Sequence, residues 1–381
     1  MAVLKVAMSH PYKSKAERDN VLAVLDSGHA HGDGPFTASA TTRLKRITTA
    51  EHALLTTSCT HALELAALLL ELGPDDEVIV PSFTFPSMAA AVALRGATCV
   101  FADIDPATGN LDPESVEAAI TNRTVAIIVM HYGGVAADME GLLALSRRFG
   151  LAIIEDNAHG LGGTWRGQQL GTIGTMGTLS FHDTKNIHCG EGGALLTNDS
   201  VLIGRAEIIR EKGTDRARFM RGQVDKYSWQ EIGSSYLPSE FNAAVLDAQL
   251  AEFDTIQAGR HRVWDSYAAA LPKWAADNGF QLMSVPEDRG HTAHLFYLLA
   301  PDPETQDGLL THLRAHGVGA AFHYVPLDSS PAGLKFGRVG TTCRKSADFA
   351  SRLVRLPLWA AMQDEHIDHV IEAVTEFTSI R

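Results

Sequence analysis

In "SFHDTKNIHCGEGGALLTND", Ser180 to Asp199, a single lysine, Lys185, stands between an apolar run of strand character and a glycine-rich loop leading into a second such run. A lysine near a turn is ordinarily a solvated charge. Here the flanks "TLSF" and "GGALL" are apolar, and "GEGG" frees the backbone to approach a ligand closely. Ser180, five residues upstream, could cap an anion. A lysine buried near cationic groups loses proton affinity and becomes a nucleophile able to form a Schiff base. "IIEDNAHG" puts Glu155 and Asp156 at the end of an apolar strand. Such a carboxylate either closes a turn or holds a cationic ring nitrogen. His159 suits a planar ligand or a packed turn. In "TTSCTHALELAALLL", Thr57, Ser58 and Thr60 directly precede a strongly helical run. They cap its first turn or seat a phosphate on its free amides.

Other chemistries find little support. No GxGxxG follows a strand, "GLGGTW" at Gly160 has the wrong spacing, and no GxxxxGK[ST] occurs. His182, His188 and Cys189 cluster without the paired spacing of a zinc site, so no metal is expected. The net charge of -13 and the lack of a long Lys/Arg block argue against nucleic acid or an anionic membrane as partner. The N-terminus carries no apolar segment of signal-peptide length, and no apolar run reaches the roughly 18 residues that span a bilayer. Cys59, Cys99, Cys189 and Cys343 lie far apart with no CxxC pair, as free thiols in a reducing cytoplasm would.

The elements that must position these groups follow an α/β pattern. The chain has 381 residues, 45% of them apolar, enough for two domains. "HALELAALLLELGP" reads as a helix stopped at Gly73-Pro74. "DEVIVPS", "ATCVFADID", "TVAIIVMHY" and "LAIIEDNAHG" read as strands, with helical patterns at 86–95, 113–121 and 139–149 between them. This alternation predicts parallel βαβ units in a doubly covered sheet, with "TMGTLSFH" and "GGALLTND" as further strands. A long helical pattern runs over 239–270, broken only by ambiguous polar stretches. "AHLFYLLAP", a helix over 304–316, "GAAFHYVP" and an amphipathic C-terminal helix complete a smaller α/β unit. The expected division is a large domain over 1–250 and a small one over 251–381. Asp103, Asp105, His131, Tyr132, Asp156, His159, His182 and Lys185 gather at the carboxyl ends of the strands, where open α/β sheets bind ligands.

Together "TSCTHALELA", "PSFTFPSMAAAV", "EDNAHG", "SFHDTKN…GEGG" and "FHYVPL", in this order and followed by "RLPLWAAM", resemble the DegT-type nucleotide-sugar aminotransferases. These are pyridoxal 5'-phosphate (PLP) enzymes of fold type I, with a mostly parallel sheet between helices in the large domain and a smaller C-terminal α/β domain. "REKGTDRARFMRGQVDKYSWQEIGSSYL" looks closer still to the TDP-4-keto-6-deoxyglucose 4-aminotransferases, which make TDP-4-amino-4,6-dideoxygalactose with L-glutamate as donor.

The resemblance implies roles for particular residues. Lys185 would bind the cofactor covalently and then act as acid and base. Asp156 would pair with the ring nitrogen, keeping it protonated so that the ring can accept electrons. His159 and Phe85 would lie on opposite ring faces, and Cys59, Thr60 and Ser180 would hold the phosphate. It also implies a homodimer with its site at the subunit interface. Where most of the family reads "GYNYRMSE", this chain has "GSSYLPSE", Gly233 to Glu240. The asparagine that reaches the partner's cofactor phosphate thus corresponds to Ser235, and an arginine to Leu237. The expected substrate contacts are Lys212, Arg216, Tyr236, His323 and Tyr324, of which His323 and Tyr324 in "FHYVP" resemble the family's substrate-facing pair. The basic run Arg205, Arg210, Lys212, Arg216, Arg218, Arg221 and Lys226 is either solvated or a diphosphate seat. Relatives that dehydrate sugars replace the lysine by histidine, whereas Lys185 is kept here.

Overall fold

The computed structural model describes residues 4–378. In chain order the strands begin with β1 (His52–Thr56), β2 (Glu77–Pro81), β3 (Thr98–Ala102), β4 (Thr124–Met130) and β5 (Ala152–Asp156). Two short strands follow, β6 (Thr164–Trp165) and β7 (Gln168–Gln169), then β8 (Met176–Ser180) and β9 (Gly193–Thr197). The last third adds β10 (Gln281–Leu282), β11 (Arg289–Gly290), β12 (Phe296–Leu299), β13 (Gly337–Val339) and β14 (Leu353–Leu356).

The large sheet runs β1-β9-β8-β5-β4-β2-β3-β13. It is parallel from β8 to β13 and antiparallel at β1, β9 and β8. Side chains alternate across a strand, and here both faces are buried. Ile79, Val100, Ile127 and Ile153 enter one core, while Val78, Phe101, Ile128 and Ile154 enter the other. That double burial is why the strands read as continuous apolar runs.

The antiparallel sheet β10-β12-β14 carries a separate core of Tyr267, Phe296, Leu313 and Val370. Helices Phe253–Ala270, Pro303–Ala315 and Asp364–Glu376 supply three of these side chains. Two segments lie across the division expected at residue 250. Strand β13 rejoins the large sheet beside β3, and Val6 bridges Val318 within the smaller core. The helical pattern over 239–270 is broken at Glu252 into Glu240–Ala251 and Phe253–Ala270. The Glu252 carboxylate accepts from Ser14 Oγ and Tyr12 Oη, each at 2.5 Å. The "GAAFHYVP" stretch forms no strand: the Gly319 amide donates to the Val6 carbonyl at 2.8 Å, and Ala321 bridges Arg355. Among the described residues, no helix is long and apolar enough to cross a membrane.

Two adjacent carboxylates on β5 take different parts because alternation sends them to opposite faces. Asp156 follows the parity of Ile154. Glu155 follows that of Ile153 and is fully buried. Glu155 accepts from the amides of Gly171, Ile173 and Gly174 at 2.7, 2.7 and 2.6 Å, and pairs with His131 Nε2 at 2.9 Å. It thereby ties the loop before β8 under the strand that carries Asp156. Glu155→Ala would leave those donors without their acceptor, and we expect a loss of about 3–5 kcal/mol, read as a lower urea midpoint.

Candidate active site

Met130, Asp156 and Ser180 end three neighbouring parallel strands, β4, β5 and β8, and all three line one cavity of about 490 Å³. Its wall also holds Cys59, Thr60, Phe85, His159, Lys185 and Tyr324. Lys185 closes a turn in which its amide donates to the His182 carbonyl at 2.9 Å. It stands between this cavity and a second of about 400 Å³, which Phe85, His159 and Tyr324 also border.

Charge in this space is set by loss of water. Burial lowers the pKa of Lys185, and attraction to Asp156 opposes that shift. Burial raises the carboxyl of Asp156, opposed by the Ala158 amide on Oδ1 at 3.0 Å and by Lys185. Among the described residues Oδ2 of Asp156 has no hydrogen-bond partner. One oxygen is thus fixed by backbone, leaving the other for a cationic ligand atom.

The helix Cys59–Leu69 starts two residues beyond β1. Ser58 is its N-cap, accepting from the His61 amide at 3.0 Å. The cap leaves the amides of Cys59 and Thr60 unbonded among the described residues, at the positive end of the helix dipole. The same helix start that Ser58 caps thus leaves two amides free to face an anion. Gly193 makes the approach possible: a Cβ there would lie 2.3 Å from Ser58 C and 2.4 Å from Cys59 N. The Cys59 side chain turns away, to Thr178 Oγ1 at 3.6 Å, and burial raises its pKa and keeps it a thiol. Its contribution to an anion seat is its backbone N–H. Thr60 Oγ1 bonds Ser87 Oγ at 2.7 Å. Ser87 also lines the cavity, and the sequence reading passed over it.

His159 is buried flat against His294, with centroids 4.0 Å apart and planes 23° apart. The Gly133 amide donates to its Nδ1 at 3.3 Å, which puts the ring proton on Nε2, facing Tyr324 Oη at 3.4 Å. Burial holds its pKa well below the usual value, so it is a neutral plane. The Tyr132 hydroxyl meets His323 Nδ1 at 2.8 Å, and His323 stacks on Tyr324 at 3.6 Å. Tyr324 has φ +49°, a strained backbone for a bulky residue, and it borders both cavities.

Other expected residues lie elsewhere. Tyr236 is buried with its hydroxyl donated to Glu64 at 3.0 Å, so it packs beside the helix Cys59–Leu69 and lines neither cavity. Ser235 is bridged to Glu211 through backbone. Lys212 pairs with Glu211 at 3.1 Å and Arg216 reaches the same carboxylate at 4.0 Å. Arg205, Arg210 and Arg221 pair with Glu231, Asp33 and Glu207, so much of the basic run is neutralised within the chain. His188 Nε2 donates to the Tyr12 carbonyl at 2.7 Å and Cys189 Sγ to that of Glu191 at 3.4 Å. Besides Ser87, the sequence reading missed Arg260, His294 and Arg355, all bordering the second cavity.

A half-buried lysine, a carboxylate with one free oxygen, a neutral flat wall and a helix N-terminus suit a planar, phosphorylated, cationic ring. The model of the DegT/DnrJ/EryC1/StrS aminotransferase family matches residues 11–375. The spore coat polysaccharide biosynthesis protein SpsC of Bacillus subtilis (strain 168) is 33% identical over 376 residues, which cover 97% of this chain and 96% of that one. The aminotransferase TlmJ from Streptoalloteichus hindustanus superposes with a TM-score of 0.90 at 27% identity, covering 98% of each chain. The putative sugar aminotransferase Spr1654 from Streptococcus pneumoniae, in its PLP form, gives a TM-score of 0.88 at 26% identity, again over 98% of each chain.

One buried and two half-buried histidines predict an acid limit. Burial depresses His159 and His294 well below their usual value and pushes His323 down to about 2. Below the unfolded value near 6.5 the unfolded chain takes up protons that the folded chain refuses. Their contribution is therefore present above about pH 6.5 and lost as pH falls, by about 1.4 kcal/mol per pH unit for each histidine. Urea midpoints at pH 7 and 5 should diverge accordingly, and His294→Asn should make the fall shallower. An unchanged slope would count against this assignment.

Proposed function

Because the chain belongs to the DegT/DnrJ/EryC1/StrS aminotransferase family, whose members depend on PLP, we propose that it moves the amino group of L-glutamate to carbon 4 of TDP-4-keto-6-deoxyglucose. The products are 2-oxoglutarate and TDP-4-amino-4,6-dideoxygalactose. The observation that carries the transamination is the juxtaposition of Lys185, Asp156 and His159 in one cavity with the free N-terminus of the helix Cys59–Leu69. The sugar assignment is supported by the stretch from Arg210 to Leu237, which resembles the 4-keto-sugar subgroup, and by SpsC, whose name concerns polysaccharide.

When bound, PLP supplies an electrophilic carbon for the migrating amine and a ring that accepts an electron pair. The Cys59 and Thr60 amides, with Ser180 and the Thr60–Ser87 hydroxyl pair, would hold its phosphate. Asp156 Oδ2 would hold the ring nitrogen's proton, which would draw the carboxyl back toward its charged form. His159 would cover one face of the ring and Phe85 the other. Lys185 would anchor the cofactor, and its Nζ, once free, would take a proton from the amine-bearing carbon of the donor and later deliver one to carbon 4 of the sugar. Its lowered pKa lets one group do both near neutral pH.

Ser235, Lys212 and Arg216 lie away from this chain's own cavities, and we assign them to the site of a second subunit in a homodimer. Exposed apolar side chains in the same segment, Trp229 at 78% and Met220 at 67%, support that assignment. The buried free thiols of Cys59, Cys99, Cys189 and Cys343 support a cytoplasmic location.

Purified protein should take up PLP with an absorbance band of the lysine-bound cofactor, and Lys185→Ala should lack both that band and multiple turnovers. Product analysis with L-glutamate and the TDP-, UDP- or GDP-linked 4-keto sugar should give the 4-amino product with TDP, and ping-pong kinetics. An equatorial amine, or preference for another nucleotide, would overturn the sugar assignment and leave the transamination standing.

A further inference from the structure

Arg355 occupies a strand position where alternation calls for an apolar side chain. On β14, Val354 and Leu356 enter the small core, so Leu353 and Arg355 face the large unit. There Arg355 borders the second cavity together with Lys185, His294, His323 and Tyr324. Its Nε is buried and has no hydrogen-bond partner. Among the described residues no carboxylate pairs with it.

The surroundings offer no other counter-charge. Burial lowers the pKa of Arg355, and the groups that oppose the shift are the phenols of Tyr132 and Tyr324. Those phenols stay protonated, because burial raises both. His159, His294 and His323 are neutral, each depressed first by burial and further by neighbouring cations that include Arg355. Arg260 differs: its Nε and Nη2 donate to the carbonyls of Ala293 and His294 at 3.0 and 2.5 Å, so that guanidinium is satisfied by backbone. Asp156 lines the other cavity. An unpaired guanidinium in a desolvated wall is costly, and its planar fork matches a carboxylate with two parallel hydrogen bonds.

We infer that Arg355 is the seat of a carboxylate of the amino donor, an assignment that rests on L-glutamate being that donor. The location favours the donor over the nucleotide. Arg355 and Lys185 share a cavity of about 400 Å³, so a group held by Arg355 lies beside the reacting nitrogen. An amino acid carries its α-carboxylate one carbon from the amine. In the sugar nucleotide the hexose ring separates the diphosphate from carbon 4.

The test uses PLP-loaded wild type, Arg355→Gln and Arg355→Lys, with the two half-reactions measured apart. Conversion by L-glutamate without sugar should fall about 100-fold or more in Arg355→Gln, in line with loss of a buried charge pair. Arg355→Lys should recover part of it, as a point charge without the fork. The drop should be at least tenfold larger than that in the sugar half-reaction, started from enzyme already carrying the amine. Calorimetry with glutarate, an unreactive dicarboxylate, should show binding to wild type that is lost in Arg355→Gln. Isoglutamine, whose α-carboxylate is an amide, and glutamine, whose side-chain carboxylate is, decide which carboxylate is held: the α-seat leaves glutamine active and isoglutamine inert. Equal losses in both half-reactions, or glutarate binding unchanged by the substitution, would overturn the seat. If no amino acid converts the wild type, the proposed reaction falls and the seat with it; normal conversion by Arg355→Gln removes the seat alone.

Discussion

The site is governed by the cost of holding charge where water is excluded. Asp156 and Lys185 are each driven toward neutrality by burial, and each is drawn back by the other. With few screening waters, such interactions reach farther than at a surface. The neighbours obey the same constraint: Cys59 remains a thiol, His159 and His323 stay uncharged, and Tyr132 and Tyr324 keep their protons. A wall of neutral polar groups around one coupled pair is what a charged, flat ligand requires. It also makes the unmatched Arg355 conspicuous.

The fold delivers this arrangement through strand ends and close backbone approach. Three parallel strands stop side by side, so residues distant in sequence meet at one rim. Gly193 admits β9 against the start of the helix Cys59–Leu69, which brings that helix's free amides to the same rim. Glu155 works from the opposite face of β5, fixing the loop that leads into β8. Adjacent carboxylates therefore serve structure and chemistry without competing, because the pleat separates them.

Much of this was legible in the sequence where burial is two-sided. Strands β2 to β5 announce themselves as continuous apolar runs; Asp156 and His159 stand at the end of β5, Lys185 in the loop after β8 and Thr60 at a capped helix start. Legibility fails where a role depends on distant contacts. The ambiguous polar stretches in the helical pattern over 239–270 do not say where it breaks; at the break, the Glu252 carboxylate is bonded by Tyr12 and Ser14 from the far end of the chain. "GAAFHYVP" has the composition of a strand, yet Ala321 bridges Arg355 without a strand forming, and at Tyr324 the backbone enters the left-handed region. Ser87 is an ordinary serine after a proline until Thr60 is seen beside it. Arg355 in "RLVRLPLW" looks like one more surface arginine, since nothing local says which side of β14 faces the cavity.

The crossings between the two sheets bear on how the enzyme exchanges substrates. Besides the continuous chain at Glu252, the small unit is stitched to the rest by β13 in the large sheet and by Val6 beside Val318. A clamshell swing of the small unit would have to bend the chain at each of these crossings at once, not at a single hinge. On the rim, Phe85 and Phe322 border the second cavity yet stand 55% and 57% exposed.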